Sequence, residues 1–160
     1  MSIQKLTTAI NNLEHHIINH DQSNPKVSKS NIAWHIDHSL KVINNVSIAT
    51  NTSDPKQFKN NFTLLGKVFF ILGFFPRGKA KAPKHALPPE NITKADLTQQ
   101  ITLAKSNIAT LTNLDKNAYF KHPLFGHINT KRVPKFLLMH TNHHLKIIND
   151  ILKQQKTLSK

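Results

Sequence analysis

Apolar residues recur at steps of three and four along most of this chain, a spacing that predicts amphipathic helices. Residues 3–20 set Ile3, Leu6, Ile10, Leu13 and Ile17 on one stripe, and the polar stretch DQSNPKVSKS at 21–30 ends it. A second helix is predicted from a Ser30 cap to about Ala49, with Ile32, Ile36, Ile43 and Val46 facing inward. Asp54–Pro55 has the form of an N-cap and a first-turn proline, opening a third segment through about Phe75. Its apolar residues bunch towards the end, which suits a short helix laid over one end of the core.

Four prolines make 76–92 a long connection. Thr93 to Asp96 then resembles a capping box with Asp in the place of Glu. It starts a helix to about Leu114 with Ile101, Ala104, Ile108 and Leu111 inside. YFKHPLFGHINT at 119–130 reads as a second loop, and a last helix begins between Thr130 and Pro134 and runs to about Gln155. Period-two alternation and tandem repeats are both missing from the sequence. The expectation is an all-α four-helix bundle with a short extra helix and long loops.

Length and composition narrow this picture. The 160 residues fit a single domain, 1–160, long enough to bury a core. Four glycines and one tyrosine argue against a turn-rich sheet fold. Without cysteine there is neither a disulfide framework nor a thiolate site, so any metal must be held by His, Asp or Glu. MSIQKLTTAI lacks the charged-then-apolar order of a signal peptide, and VFFILGFF at 68–75 is too short to span a bilayer. A cytoplasmic protein with no membrane partner is therefore expected.

The formal charge of +14 favours nucleic acid or an anionic membrane on electrostatic grounds alone. The cations are nonetheless scattered. Their densest cluster, PRGKAKAPK at 76–84, holds no aromatic side chain on which a base could stack. A solvated basic surface is expected, with nucleic acid only as a minor alternative.

Histidine changes the picture most. The segment FLLMHTNHHLKII at 136–148 holds three of the eleven histidines in an otherwise apolar run. On a helix His140 and His144 fall within the stripe of Val133, Leu137, Ile147, Ile148 and Ile151, and His143 falls on its flank. Two imidazoles facing a core must satisfy four ring nitrogens in apolar surroundings, which a shared divalent ion would help to do. A third ligand from WHIDH is left open: His35 lies nearer the stripe of its helix, and His38 shares the Trp34–Val42 edge. His16 and His20 fit a partly exposed edge. Glu14 lies on the apolar face, either behind a ligand histidine, as a general base, or at the end of the core reaching solvent. No GxSxG, glycine-rich phosphate loop or catalytic carboxylate pair is apparent.

Four stretches together resemble the DinB/YfiT-like superfamily of four-helix bundles: WHIDHSLKVI (34–43), FPRGKAKAP (75–83), HPLFG (122–126) and HTNHHL (140–145). The branch most similar carries a His-Pro-Phe-Phe-Gly type loop before its last helix, and the resemblance covers nearly the whole chain. It implies one divalent ion, zinc or nickel, at the mouth of the core on His38, His140 and His144, with His143 beside the site but not bound. It further implies a metal-dependent transferase using a thiol, or a hydrolase, acting on a small molecule. Glu14, His122 and His143 are then candidate proton carriers, and loops 76–89 and HPLFG the candidate rim. Relatives often pair through a helix face, so a homodimer is a further expectation. Two positions depart from the pattern: Asn142 stands where the branch commonly has an acid, and Leu145 where the wider superfamily often has arginine. Because some relatives lose their ligands, a non-catalytic stress-response or binding protein with a structural or absent ion is the alternative.

Overall fold

The computed structural model describes residues 3–77 and 86–158. Its elements are α1 (Ile3–His15), α2 (Ile32–Asn51), α3 (Leu64–Leu72), α4 (Lys94–Thr110), β1 (Tyr119–His122), β2 (Gly126–Asn129) and α5 (Val133–Leu158). Among the described residues five helices and one two-stranded sheet make a predominantly all-α fold. The four longer helices form a ring in which α1 and α2 each pack on both α4 and α5. Helices α1 and α2 thus occupy opposite corners, and every face predicted from periodicity turns to one core. Leu6 and Ile10 of α1, Ile36 and Ile43 of α2, Ile101 of α4 and Ile148 of α5 are all at most 1% exposed. Each such side chain contributes about 1.5–3 kcal/mol by leaving water.

Local chemistry moves several predicted boundaries. Asn31, not Ser30, caps α2: its Oδ1 accepts the Trp34 N–H at 2.9 Å, and Ser30 gives its own N–H to Ser28 Oγ. The first helix stops at His15 and tightens into a 3-10 turn over His16–Asn19 before the connection begins. Asp54 and Pro55 open one 3-10 turn, Pro55–Gln57, rather than a long segment. Thr63 is the residue that caps α3, with Oγ1 accepting the Gly66 N–H at 3.2 Å. Both reciprocal bonds of the Thr93–Asp96 capping box are made. Helix α4 ends at Thr110, and a 3-10 turn over Leu111–Asn113 carries the chain on towards Leu114.

The stretch 119–130, expected to be a loop, is an antiparallel hairpin with Tyr119 opposite Asn129 and His122 opposite Gly126. Two strands of four residues offer too few positions for alternation to show in a sequence. Several side chains build the turn. His122 Nδ1 accepts the N–H groups of Leu124 and Phe125, both at 3.2 Å. Gly126 takes φ +75°, and a Cβ there would stand 2.4 Å from the Asn61 carbonyl oxygen. The extended segment before α3 clips onto the hairpin: His127 N–H donates to Asn61 Oδ1, and Thr63 N–H to the Phe125 carbonyl. Helix α3 therefore sits on the hairpin at one end of the bundle, turning Gly66 and Phe70 inward.

No helix among the described residues is long and apolar enough to cross a membrane.

Candidate metal centre

The Asn31 cap starts α2 three residues before Trp34, so that His35 and His38 both enter the bundle and are 4% and 5% exposed. Across from them α5 supplies His140 and His144 at its i, i+4 spacing, on the buried stripe. One nitrogen from each of His38, His140 and His144 lies within 4.8 Å of the other two. Nitrogens around a tetrahedral ion bonded at 2.0–2.1 Å stand about 3.4 Å apart, so side-chain rotation of roughly an ångström closes the set. These three residues could hold a metal ion.

The partners of the rings fit that use. Ala86 offers only a carbonyl, so His38 Nδ1–H must donate to it, at 2.7 Å, which leaves Nε2 with its lone pair. His140 Nδ1 is buried with no hydrogen-bond partner, a costly state for a polar atom. His144 Nδ1 lies 3.0 Å from His35 Nδ1, and His35 Nε2 lies 2.9 Å from Ser28 Oγ. For His144 to present Nε2 as a ligand it must carry its proton on Nδ1 and donate to His35. His35 then carries its own proton on Nε2 and donates to Ser28 Oγ. With both nitrogens engaged, His35 stands behind the triad as an orienting residue. The choice between His35 and His38 that periodicity leaves open falls to His38 as the member of the cluster.

Aromatic packing holds the rings in place. The Trp34 indole stacks on His38 with centroids 5.0 Å apart and planes 22° off parallel, and its edge meets His35. Phe136 stacks under His140 at 6.4 Å. Burial, reinforced by neighbouring imidazoles, holds His140 and His144 well below the ordinary histidine range. Burial also lowers His38, a fall that its bond to the Ala86 carbonyl opposes. His35 is pushed down to about 4, chiefly by burial. The rings are therefore neutral at pH 7, as ligands must be. None of the three hydrogen-bonds a carboxylate among the described residues. The buried Asp37 instead pairs with Lys41 at 2.8 Å and accepts from Gln100 at 2.6 Å.

The three candidate proton carriers have distinct fates. Glu14 reaches solvent and pairs with Lys105 Nζ on α4 at 2.6 Å, so its hydrogen bonding lies away from the triad. His122 stacks on Phe125 at 4.2 Å and spends Nδ1 on the hairpin turn. Burial pushes it down to about 4. Half-buried His143 donates from Nδ1 to the Phe75 carbonyl at 3.0 Å, keeps Nε2 as an acceptor, and meets His144 edge-on at 5.1 Å. His16 and His20 are partly exposed, as the wheel indicates. Asn142 is exposed and Leu145 buried, so Leu145 belongs to the core.

Both expected rim loops border the triad, in part. Phe75 and Ala86, which flank the proline-rich connection, supply carbonyls to His143 and His38, while residues 78–85 lie outside the described residues. In the HPLFG loop, His122 is one aromatic layer from His140, through Phe136. The sequence does not announce the Ala86 carbonyl or the Ser28 partner of His35, because neither has a spacing signature. The pairing of Trp34 and His38 at i, i+4 is the one signal that could have pointed to an orienting stack. No family model matches the chain, and no curated protein or solved structure matches it either.

Proposed function

We propose that this chain is a DinB-like bundle that holds one divalent ion, zinc or nickel, on His38, His140 and His144. We propose further that it serves as a metal-dependent transferase using a thiol, or as a hydrolase, acting on a small molecule. The observation that carries this reading is the set of three imidazoles from two helices, His38 and His144 buried and His140 partly so, one fixed by a backbone carbonyl and one with an orphaned buried nitrogen. The four sequence stretches that carry the resemblance, with the spacing of His38, His140 and His144, are what the family assignment rests on. His38, His140 and His144 would hold the ion as neutral ligands, and the chemistry it would supply is to acidify a bound water or thiol. The chain lays aromatic faces against the ligand rings there, Trp34 on His38 and Phe136 on His140. His143 is the residue suited to take a proton at Nε2, since its Nδ1 is committed to Phe75.

The test is elemental analysis of untagged protein purified without nickel resin, for the parent and for His38→Ala, His140→Ala and His144→Ala. Zinc or nickel is expected at one equivalent per chain in the parent and lost in each variant. A parent that stays metal-free after either ion is added sinks the reading. His35→Ala is expected to keep the stoichiometry and weaken affinity by about 10–100-fold, the usual effect of losing a partner behind a ligand. Loss of all metal in His35→Ala but not in His38→Ala would instead make His35 the third ligand.

A further inference from the structure

Helix α3 turns an apolar face outward. Leu64 is 76% exposed, Ile71 84%, Leu72 54% and Phe74 55%, with Leu65 and Val68 between them. At about 100° per residue, Leu64, Leu65, Val68, Ile71 and Leu72 fill an arc of about 120° on one side of α3. Leu124, 54% exposed at the hairpin turn, joins them, because its carbonyl accepts from Thr63 Oγ1 at the start of α3. Single exposed leucines are ordinary, but a contiguous set of this size on one helix marks a contact surface.

The sequence that builds this face is basic. Between Asp54 and Glu90, and again between Asp115 and Asp150, the chain has no acidic residue, and these two segments contain α3, the hairpin and the start of α5. Lys67 is exposed on the edge of α3. Along the side turned to Phe70, Lys135 Nζ lies 5.7 Å from the centroid of its ring, and Arg132 lies 4.6 Å from that of Phe62. On that same inward side Lys131, Arg132 and Lys135, with Asn60 and Asn129, line a cleft of about 410 Å³ beside Phe70, away from the apolar arc.

We propose that this end of the molecule docks onto an anionic lipid surface, with α3 lying flat in the interface and Lys67, at the edge of the apolar arc, on headgroup phosphates. Nine residues of helix span about 13 Å, enough to lie in the headgroup region and too little to cross the bilayer. Apolar side chains beside basic ones are the pairing such an interface rewards, through buried apolar area and attraction to anionic lipid. A second copy fits less well, since it would bring two chains of formal charge +14 together through faces that lack carboxylates. Nucleic acid would use the cations and leave the aliphatic arc in water. The inference stands apart from the metal centre and does not depend on it.

Vesicle flotation tests it, with phosphatidylcholine vesicles containing phosphatidylserine against vesicles of phosphatidylcholine alone. The parent is expected to float with the anionic vesicles and remain below with the neutral ones. Raising the salt to 1 M should weaken binding, as the Debye length shrinks to about 3 Å. Ile71→Glu with Leu64→Glu, both exposed and so compatible with folding, should lower binding at least about tenfold with an unchanged circular dichroism spectrum. Lys67→Glu should lower it on anionic vesicles as well. A parent that ignores anionic vesicles overturns the proposal, as does an Ile71→Glu, Leu64→Glu variant that binds like the parent. So does a parent dimer that the same variant converts to a vesicle-indifferent monomer, which would assign the face to self-association.

Discussion

His122 shows how one residue can carry chemistry in appearance and architecture in fact. Its motif position invites a role as proton carrier, yet its Nδ1 accepts two backbone N–H groups and its ring is packed against Phe125. Its pKa of about 4 lies below the ordinary 6.5, so between those values the unfolded chain binds a proton that the folded chain refuses. The stability it contributes is present above pH 6.5 and lost as pH falls towards 4. His122→Asn keeps an acceptor for the turn without the proton site. Its melting temperature is expected to fall less than the parent's between pH 7 and pH 5 in metal-free protein, read by thermal melts at matched ionic strength. Legibility at this scale depended on the residue. The His140–His144 pair was visible from spacing, whereas His35 and His38 could not be separated. What distinguishes them is a distant carbonyl at Ala86 and the facing ring of His144, neither of which is encoded in the periodicity of α2.

At the scale of elements, helices were legible where capping and periodicity coincide. The Thr93–Asp96 box is the best case, and α5 begins within the predicted interval. Cap choice between adjacent residues such as Ser30 and Asn31 turns on which side chain reaches the third N–H, a matter of rotamer and entry angle. The hairpin was not legible, because its register depends on Asn61 and Thr63 from a remote segment and on the single positive φ at Gly126. Two glycines separate these effects. Gly73 has φ +74° and open space around its missing Cβ, so Gly73→Ala should cost about 1 kcal/mol from backbone strain. Gly126→Ala adds a collision with backbone and should cost about 3 kcal/mol or more, since Asn61 must move. Urea unfolding of both variants checks this; equal losses would mean that the Asn61 clip yields freely.

For the whole molecule, the ring of four helices followed from apolar stripes alone, because each stripe had to be buried somewhere. What the stripes could not say is which one stays uncovered. The run at 64–75 has the same pattern whether it meets a core or faces outward, and the structure leaves most of α3 facing outward. An ion on the triad would join α2 to α5, its neighbour in the ring. Zinc at 100 times its Kd should add about 2.7 kcal/mol to the parent's stability, and nothing comparable to His140→Ala. Melting temperatures measured with and without zinc check this, and an equal rise in both proteins would place the binding elsewhere.

The Ser28–His35–His144 chain has a direction. Its protons can all point towards Ser28, leaving His144 Nε2 bare, or all point the other way, with the Ser28 hydroxyl donating to His35, His35 to His144, and a proton on His144 Nε2. Only the first orientation can receive an ion. The three side chains thus form a hydrogen-bonded wire with two polarities, and an ion held on the triad would fix one of them.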